Sequence, residues 1–255
     1  MKPLYILTSA IVTDAGIFDP WSRLIQTHAT IDSIYAAHPD AKILLVDGGK
    51  QILHDQPLWQ ELRKRCHAFI DQTDNKQISH LHETFISKLQ NRSEMGGVAG
   101  VTKTMAEMYL LRTSFVELRD NPSMALILKD VDRIFKISGR YQISPIYDAT
   151  VYDADAVKGK YVFKVRDASW MTDAKQALGI EYGYNSRFWS FDVSQLDDAI
   201  DKLTTMIESC MEITQNHYID IEHLLFKHIG PDNSVEIDHT HLFGSIAPTG
   251  SVIYD

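Results

Sequence analysis

The segment Ile134-Phe135-Lys136-Ile137-Ser138-Gly139-Arg140-Tyr141 gathers more usable chemistry than any other stretch of the chain. An apolar strand runs straight into a glycine, an arginine and a tyrosine. Such a strand end brings backbone, a fixed cation and an aromatic ring to one point, as α/β proteins do when they hold phosphorylated or sugar ligands. The structural alternative is a strand that leaves the core through a glycine turn, with Arg140 merely solvated.

Other groups invite chemistry. Asp130-Val131-Asp132 follows the apolar run Ala125 to Leu128, expected as a strand. Two carboxylates there could hold Mg²⁺ or Mn²⁺ against a diphosphate, because hard cations take oxygen ligands and share them with substrate phosphates. The alternative is a solvated turn in which Arg133 pairs one acid. Gly97-Val98-Ala99-Gly100-Val101-Thr102-Lys103-Thr104 superficially resembles a phosphate loop, but Lys103 does not directly follow the last glycine. Lys103 and Thr104 at a helix N-terminus could still meet an anion through free N–H groups. Simple capping, with Thr104 and Glu107 at capping-box spacing, is the competing reading.

Glu222 falls within the apolar stripe Tyr218, Ile221, Leu225, Ile229 of the last predicted helix. An inward carboxylate needs a partner or a chemical role, as a general base, a metal-bound anion or the partner of a buried arginine. Asp238-His239-Thr240-His241 would set two imidazoles on one strand face, without a third metal ligand at useful spacing. Tyr182, Tyr184, Phe188 and Trp189 read as core before they read as a sugar platform.

The elements that must position these residues alternate in the first half. Leu4 to Leu7 and Ile43 to Val46 are buried strands, ending in Thr8-Ser9-Ala10 and Asp47-Gly48-Gly49. Asp19-Pro20 starts a helix that His38-Pro39 stops. Further helices are expected over 57–65, around Ile78, Leu81, Phe85, Ile86 and Leu89, and over 102–119, with a short strand near Ala68 to Ile70. In the second half, Tyr161 to Val165 and Phe188 to Phe191 read as strands, and Ser194 as the cap of a helix carrying Leu196 to Cys210. Short βα units with continuous apolar strands predict an α/β fold with a mostly parallel sheet flanked by helices and a less regular C-terminal half. Ligands of such sheets bind beyond the carboxyl ends of the strands, so Thr8 to Ala10, Asp47 and the segment after Leu128 are expected in one crevice.

The 255 residues suit one domain, and a formal net charge of −9 argues against a broad nucleic-acid interface. Cys66 and Cys210 stand far apart, which fits a reducing cytoplasm better than a disulfide framework. No apolar run approaches the length of about 20 residues that spans a bilayer.

The central signature resembles that of a group of small glycosyltransferase-like proteins, found among viruses and bacteria, that carry Phe-Lys-Ile-Ser-Gly-Arg-Tyr. Ser22-Arg23, Gln26-Thr27 and Thr30-Ile31 are similar to an early pattern of that group. Ile221-Glu222-His223 and Gly244 to Gly250 are similar to its C-terminal segments. The resemblance implies a Rossmann-like GT-A fold, with a nucleotide-binding half over 1–128 and a sugar and acceptor half over 129–255. It implies that Thr8, Ser9, Arg23 and Asp47 surround a nucleoside, and that Asp130 and Asp132 stand where a metal-binding Asp-x-Asp is expected. Arg140 and Tyr141 would contact phosphate or sugar, alongside Lys136, Ser138 and Gly139 of the same signature. Lys129 and Arg133 flank the acidic pair, and could replace the metal as partners of the diphosphate.

The expected activity is transfer of a sugar from a nucleotide diphosphate donor to a glycan or lipid-linked acceptor, with Arg140 and Glu222 as the catalytic candidates. Alternatives are a sugar-1-phosphate nucleotidyltransferase and a non-catalytic sugar-binding protein.

Overall fold

The computed structural model describes residues 1–13, 16–73, 75–78, 80, 97–176, 178–246 and 249–255. The helix expected through Leu81, Phe85, Ile86 and Leu89, and the pair Ala247-Pro248, lie outside the described residues.

Four parallel strands form the heart of the protein: β1 (Pro3–Ser9), β2 (Lys42–Asp47), β3 (Ala68–Asp71) and β4 (Arg133–Ser138). Beyond β4 come β5 (Tyr141–Ile143), β6 (Tyr161–Lys164), β7 (Asp167–Ala168), β8 (Tyr182–Gly183), β9 (Phe188–Asp192), β10 (Ser234–Ile237), β11 (Leu242–Ser245) and β12 (Val252–Tyr254). The main sheet is seven-stranded in the order β10-β6-β9-β4-β1-β2-β3, and β9 alone runs antiparallel to its neighbours. A small antiparallel sheet, β12-β11-β5, carries the chain on from the signature.

Strand alternation divides the core into two layers. Leu4, Ile6 and Ile134 pack under α3 (Gly97–Asp120), α6 (Leu196–Ile213) and α7 (Ile221–Ile229). Tyr5, Leu7, Phe135 and Ile137 pack under α1 (Pro20–Ala37) and α2 (Pro57–Lys64). Asp19 caps α1 by accepting from Ser22 N at 2.8 Å, with Pro20 in the first turn, as the sequence pattern requires. Short α5 (Thr172–Gln176) lies between β7 and β8.

Three expectations change. The run Ala125 to Leu128 is not a strand but the end of α4 (Pro122–Leu128), capped by Asn121 accepting from Ser123 N at 3.0 Å. Asn-Pro is a helix-start signal, and four apolar residues alone do not distinguish strand from helix. The long helix α3 begins at Gly97 rather than near 102. Before α6, Asp192 rather than Ser194 is the capping side chain, and it caps the 3-10 turn Val193–Gln195 by accepting from Ser194 N at 3.0 Å, while α6 itself starts after Gln195 without a side-chain cap.

Candidate active site

Registers Ser9↔Asp47 and Thr8↔Ser138 put the ends of β1, β2 and β4 at one edge of the sheet. Gly139 N donates to Thr8 O at 2.8 Å, and Gly48 N to Ser9 O at 2.9 Å, so the loops leave that edge together. A small open cleft lies there, lined by Thr8 to Ile11, Arg23, Thr27, Gly139 and Arg140. Asp47 supports its floor: fully buried, it accepts from Ser9 Oγ at 2.5 Å, Gly49 N at 2.9 Å and Ile11 N at 3.2 Å. Burial pushes its carboxyl above the usual range, against the pull of those hydrogen bonds.

Two arginines give the cleft its character. Arg23 is 4 % exposed; its Nε donates to Phe18 O at 3.0 Å and its guanidinium to Ala10 O at 3.2 Å. Burial, and then the nearby charge of Arg140, pull its pKa down. Arg140 is half-buried, and among the described residues its buried Nε has no hydrogen-bond partner. Between them Thr27 Oγ1 donates to Gly139 O at 3.2 Å. A Cβ on Gly139 would lie 3.1 Å from that hydroxyl, so glycine permits the close approach of α1 to the turn after β4. Two cations beside an orphaned donor at a strand end form a place for an anion.

On the opposite face of β4, Lys136 is fully buried. Its Nζ donates to Glu107 of α3, to Ser186 O at 2.6 Å and to Ser138 Oγ at 2.9 Å. Ser186 Oγ donates in turn to Glu222 Oε1 at 2.6 Å, in the first turn of α7. Burial, then the neighbouring Asp220 carboxylate, push Glu222 above the ordinary carboxyl range. A chain of hydrogen bonds thus runs from Glu222 through Ser186 and Lys136 to Ser138 at the strand end.

Other candidates lie elsewhere or act differently. Asp130 and Asp132 precede β4, at the amino end of the sheet, roughly 20 Å from Ser138 at about 3.3 Å per strand residue. Asp132 there accepts from Lys2 N at 2.6 Å, and Asp130 adopts φ 63° in the turn after α4. The cause is the α4 correction: with a helix in place of a strand, the pair enters β4 instead of leaving a strand toward the crevice. Lys129 and Arg133 are therefore also at the wrong end. Lys103 and Thr104 fall in the second turn of α3, where backbone N–H groups are already bonded, and Glu107 pairs with Lys136 rather than closing a capping box. Tyr141 is 2 % exposed and belongs to the core beneath Arg140. His239 and His241 lie in a loop before β11 with rings 5.7 Å apart, and among the described residues no group of three metal-ligating side chains gathers. Tyr184, Phe188 and Trp189 are core.

Ser186 and Arg187 are not singled out by the sequence, and Glu107 is read there only as half of a capping box. Glu107 and Ser186 fix Lys136, and Arg187 lies beside the signature, its Cζ 5.7 Å from the Tyr141 ring centroid. A lysine between Phe135 and Ile137 on a buried strand was itself a signal, since it demands a carboxylate partner.

No protein-family model matches the chain, and no curated protein does. Solved structures do. The core-mannan synthase A of Aspergillus fumigatus, in its Mn/GDP form, superposes with a TM-score of 0.54 over 90 % of this chain and 70 % of its own, at 10 % identity. The chain has a GT-A-type fold. The galactosyltransferase LgtC with donor and acceptor sugar analogues (TM-score 0.48, 15 % identity, 89 % of this chain and 69 % of that one) is a weaker match. So is mouse xyloside xylosyltransferase 1 (0.45, 10 % identity, 92 % and 84 %), and the assignment rests on neither of these two. In the GT-A-type frame, the Arg23–Arg140 cleft occupies the carboxyl edge of the Rossmann-like sheet.

Proposed function

We propose that the protein is a glycosyltransferase that moves a sugar from a nucleotide diphosphate donor to a glycan or lipid-linked acceptor. The observation that carries this reading is the carboxyl-edge cleft, where Arg140 brings a buried Nε, unpartnered among the described residues, beside buried Arg23. The GT-A-type fold supports it, and the mannan synthase that shares this fold was solved with Mn and GDP. Kinship with the viral and bacterial signature group belongs to the same proposal, as does a cytoplasmic setting, which the free thiols of Cys66 and Cys210 suit. Among the described residues no helix is long and apolar enough to cross a membrane.

In this reading Thr8, Ser9, Arg23 and Asp47 surround the nucleoside, within the half of the chain formed by residues 1–128. Ser138, Gly139 and Arg140 meet the diphosphate, and residues 129–255 hold the sugar and acceptor. The acceptor hydroxyl attacks the anomeric carbon, the bond from that carbon to the diphosphate oxygen breaks, and the diphosphate leaves with the bonding pair. Fixed guanidinium donors favour this step because the departing oxygen gains charge as it proceeds. In an inverting course the hydroxyl proton passes to Glu222, whose raised carboxyl is a stronger base than a surface one.

Manganese or magnesium, which the fold brings into question, would not be held at this cleft by Asp130 and Asp132, since both are at the other end of β4. The donor's charge is met here by the arginines.

Thermal unfolding in the presence of UDP, GDP, CMP and their sugars, with and without Mn²⁺, tests the reading. One nucleotide series raises the midpoint of the wild type and leaves Arg140→Ala unmoved. Absence of response to every nucleotide contradicts it and favours a non-catalytic sugar-binding role.

A further inference from the structure

We propose that Arg187 and Arg140 together form a two-guanidinium clamp for one diphosphate group, aligned by the buried ring of Tyr141. This rests on the donor reading above and specifies which groups hold the donor's charge. The Cζ atoms of Arg140 and Arg187 lie 5.9 and 5.7 Å from the centroid of the same ring. That ring does not move freely. Tyr141 is 2 % exposed and pairs with Gly244 of β11, where a Cβ would come within 2.7 Å of Tyr141 Cδ1 and 2.4 Å of Arg140 O. Glycine at that position lets the small sheet press the ring and the Arg140 backbone into place.

The backbone of Arg187 is held as well. Its carbonyl accepts from Ser138 N at 3.2 Å and its own N–H donates to Asn185 Oδ1 at 2.9 Å, so it is stitched to the signature just before β9. Among the described residues neither guanidinium has an ion-pair or hydrogen-bond partner, and Arg140 Nε is buried as well. Arg23 differs, since its donors serve Phe18 O and Ala10 O. Two planar forks without a direct partner among the described residues, each within 6 Å of one ring centroid, match a ligand with two adjacent phosphoryl groups, because each fork takes oxygens of one phosphoryl. Arg187 is thus assigned a binding role beside Arg140, while Tyr141 positions both without touching the ligand.

Isothermal titration of the full-length protein with inorganic pyrophosphate, with the nucleoside diphosphate that stabilises it and with the bare nucleoside tests the clamp. Arg187→Ala is expected to weaken pyrophosphate and the nucleoside diphosphate by about tenfold or more, and to leave the bare nucleoside unchanged. Arg187→Lys should recover part of the loss, and pyrophosphate should compete with the nucleoside diphosphate. A melting curve matching wild type checks each variant, with Arg187→Gln as the substitute if alanine unfolds the chain. Wild-type affinity in Arg187→Ala, with affinity lost in Arg140→Ala, overturns the clamp and leaves the donor reading standing. Pyrophosphate that binds without competing also overturns it. A wild type that binds neither pyrophosphate nor any nucleoside diphosphate overturns both.

Discussion

The ammonium of Lys136 and the carboxylate of Glu107 meet inside the protein, beneath the strand end that carries Ser138, Gly139 and Arg140. Lys136 has no exposed surface, and Glu107 retains only 17 % of its side chain in solvent. Burial pulls the Lys136 pKa down and Glu107 opposes that pull. For Glu107 burial acts upward, yet Lys136 outweighs it and holds the carboxyl below its usual range. The pair ties α3 to β4 directly under the cleft.

Removing one member of this pair leaves an uncompensated buried charge. Lys136→Met should therefore cost about 3–5 kcal/mol of unfolding free energy, measured by denaturant titration. Lys136→Met combined with Glu107→Leu should recover a large part of it. A single variant as stable as wild type contradicts this account of the pair.

Arg140→Ala should behave differently. It removes an orphaned buried donor and a charge that repels Arg23, against the loss of a cation–π contact with Tyr141. The unfolding free energy should stay within about 1 kcal/mol of wild type. A large loss of stability in that variant would give Arg140 a structural role instead.

Glu222 predicts a pH signature. Its folded pKa is raised, so its contribution to stability is fully present below the ordinary carboxyl range and is lost as pH rises through the raised value. Glu222→Gln keeps a neutral acceptor for Ser186 Oγ. It should melt above wild type at neutral pH, with the difference vanishing as pH falls into the ordinary carboxyl range. The same variant should lose transfer if Glu222 is the base. A variant that melts below wild type at neutral pH contradicts the assignment of a costly buried carboxylate.

Asp132→Ala should leave nucleotide affinity unchanged, with or without Mn²⁺, because Asp132 sits at the far end of β4 holding Lys2 N. Its effect should be a stability loss of about 0.5–1.5 kcal/mol. An affinity for nucleotide that drops in this variant only when Mn²⁺ is present contradicts the placement.

Much of the frame was legible because buried parallel strands advertise themselves. Leu4 to Leu7, Ile43 to Val46 and Ile134 to Ile137 all became neighbours in one sheet, and their ends Thr8, Ser9, Asp47 and Gly139 converge as strand order implies. Where the reading failed, a local signal had been outweighed. The Asn121-Pro122 start made a helix of Ala125 to Leu128, and that one change moved Asp130 and Asp132 from the crevice to the opposite end of the sheet. Lys136 looked like a ligand contact because its partner, Glu107, lies 29 positions away and has no local signature. Arg187 was invisible for a similar reason: only the antiparallel pairing of β9 with β4 brings it beside Ser138 and Tyr141.

The central claim is that the Arg23–Arg140 cleft binds and activates a nucleotide-sugar donor. It is tested most directly by following release of free nucleoside diphosphate from a panel of nucleotide sugars, with wild type and Arg140→Ala side by side. The predicted result is turnover of one donor by wild type and loss of that turnover in a folded Arg140→Ala protein. Equal turnover by both proteins, or no donor consumed by either, would contradict it.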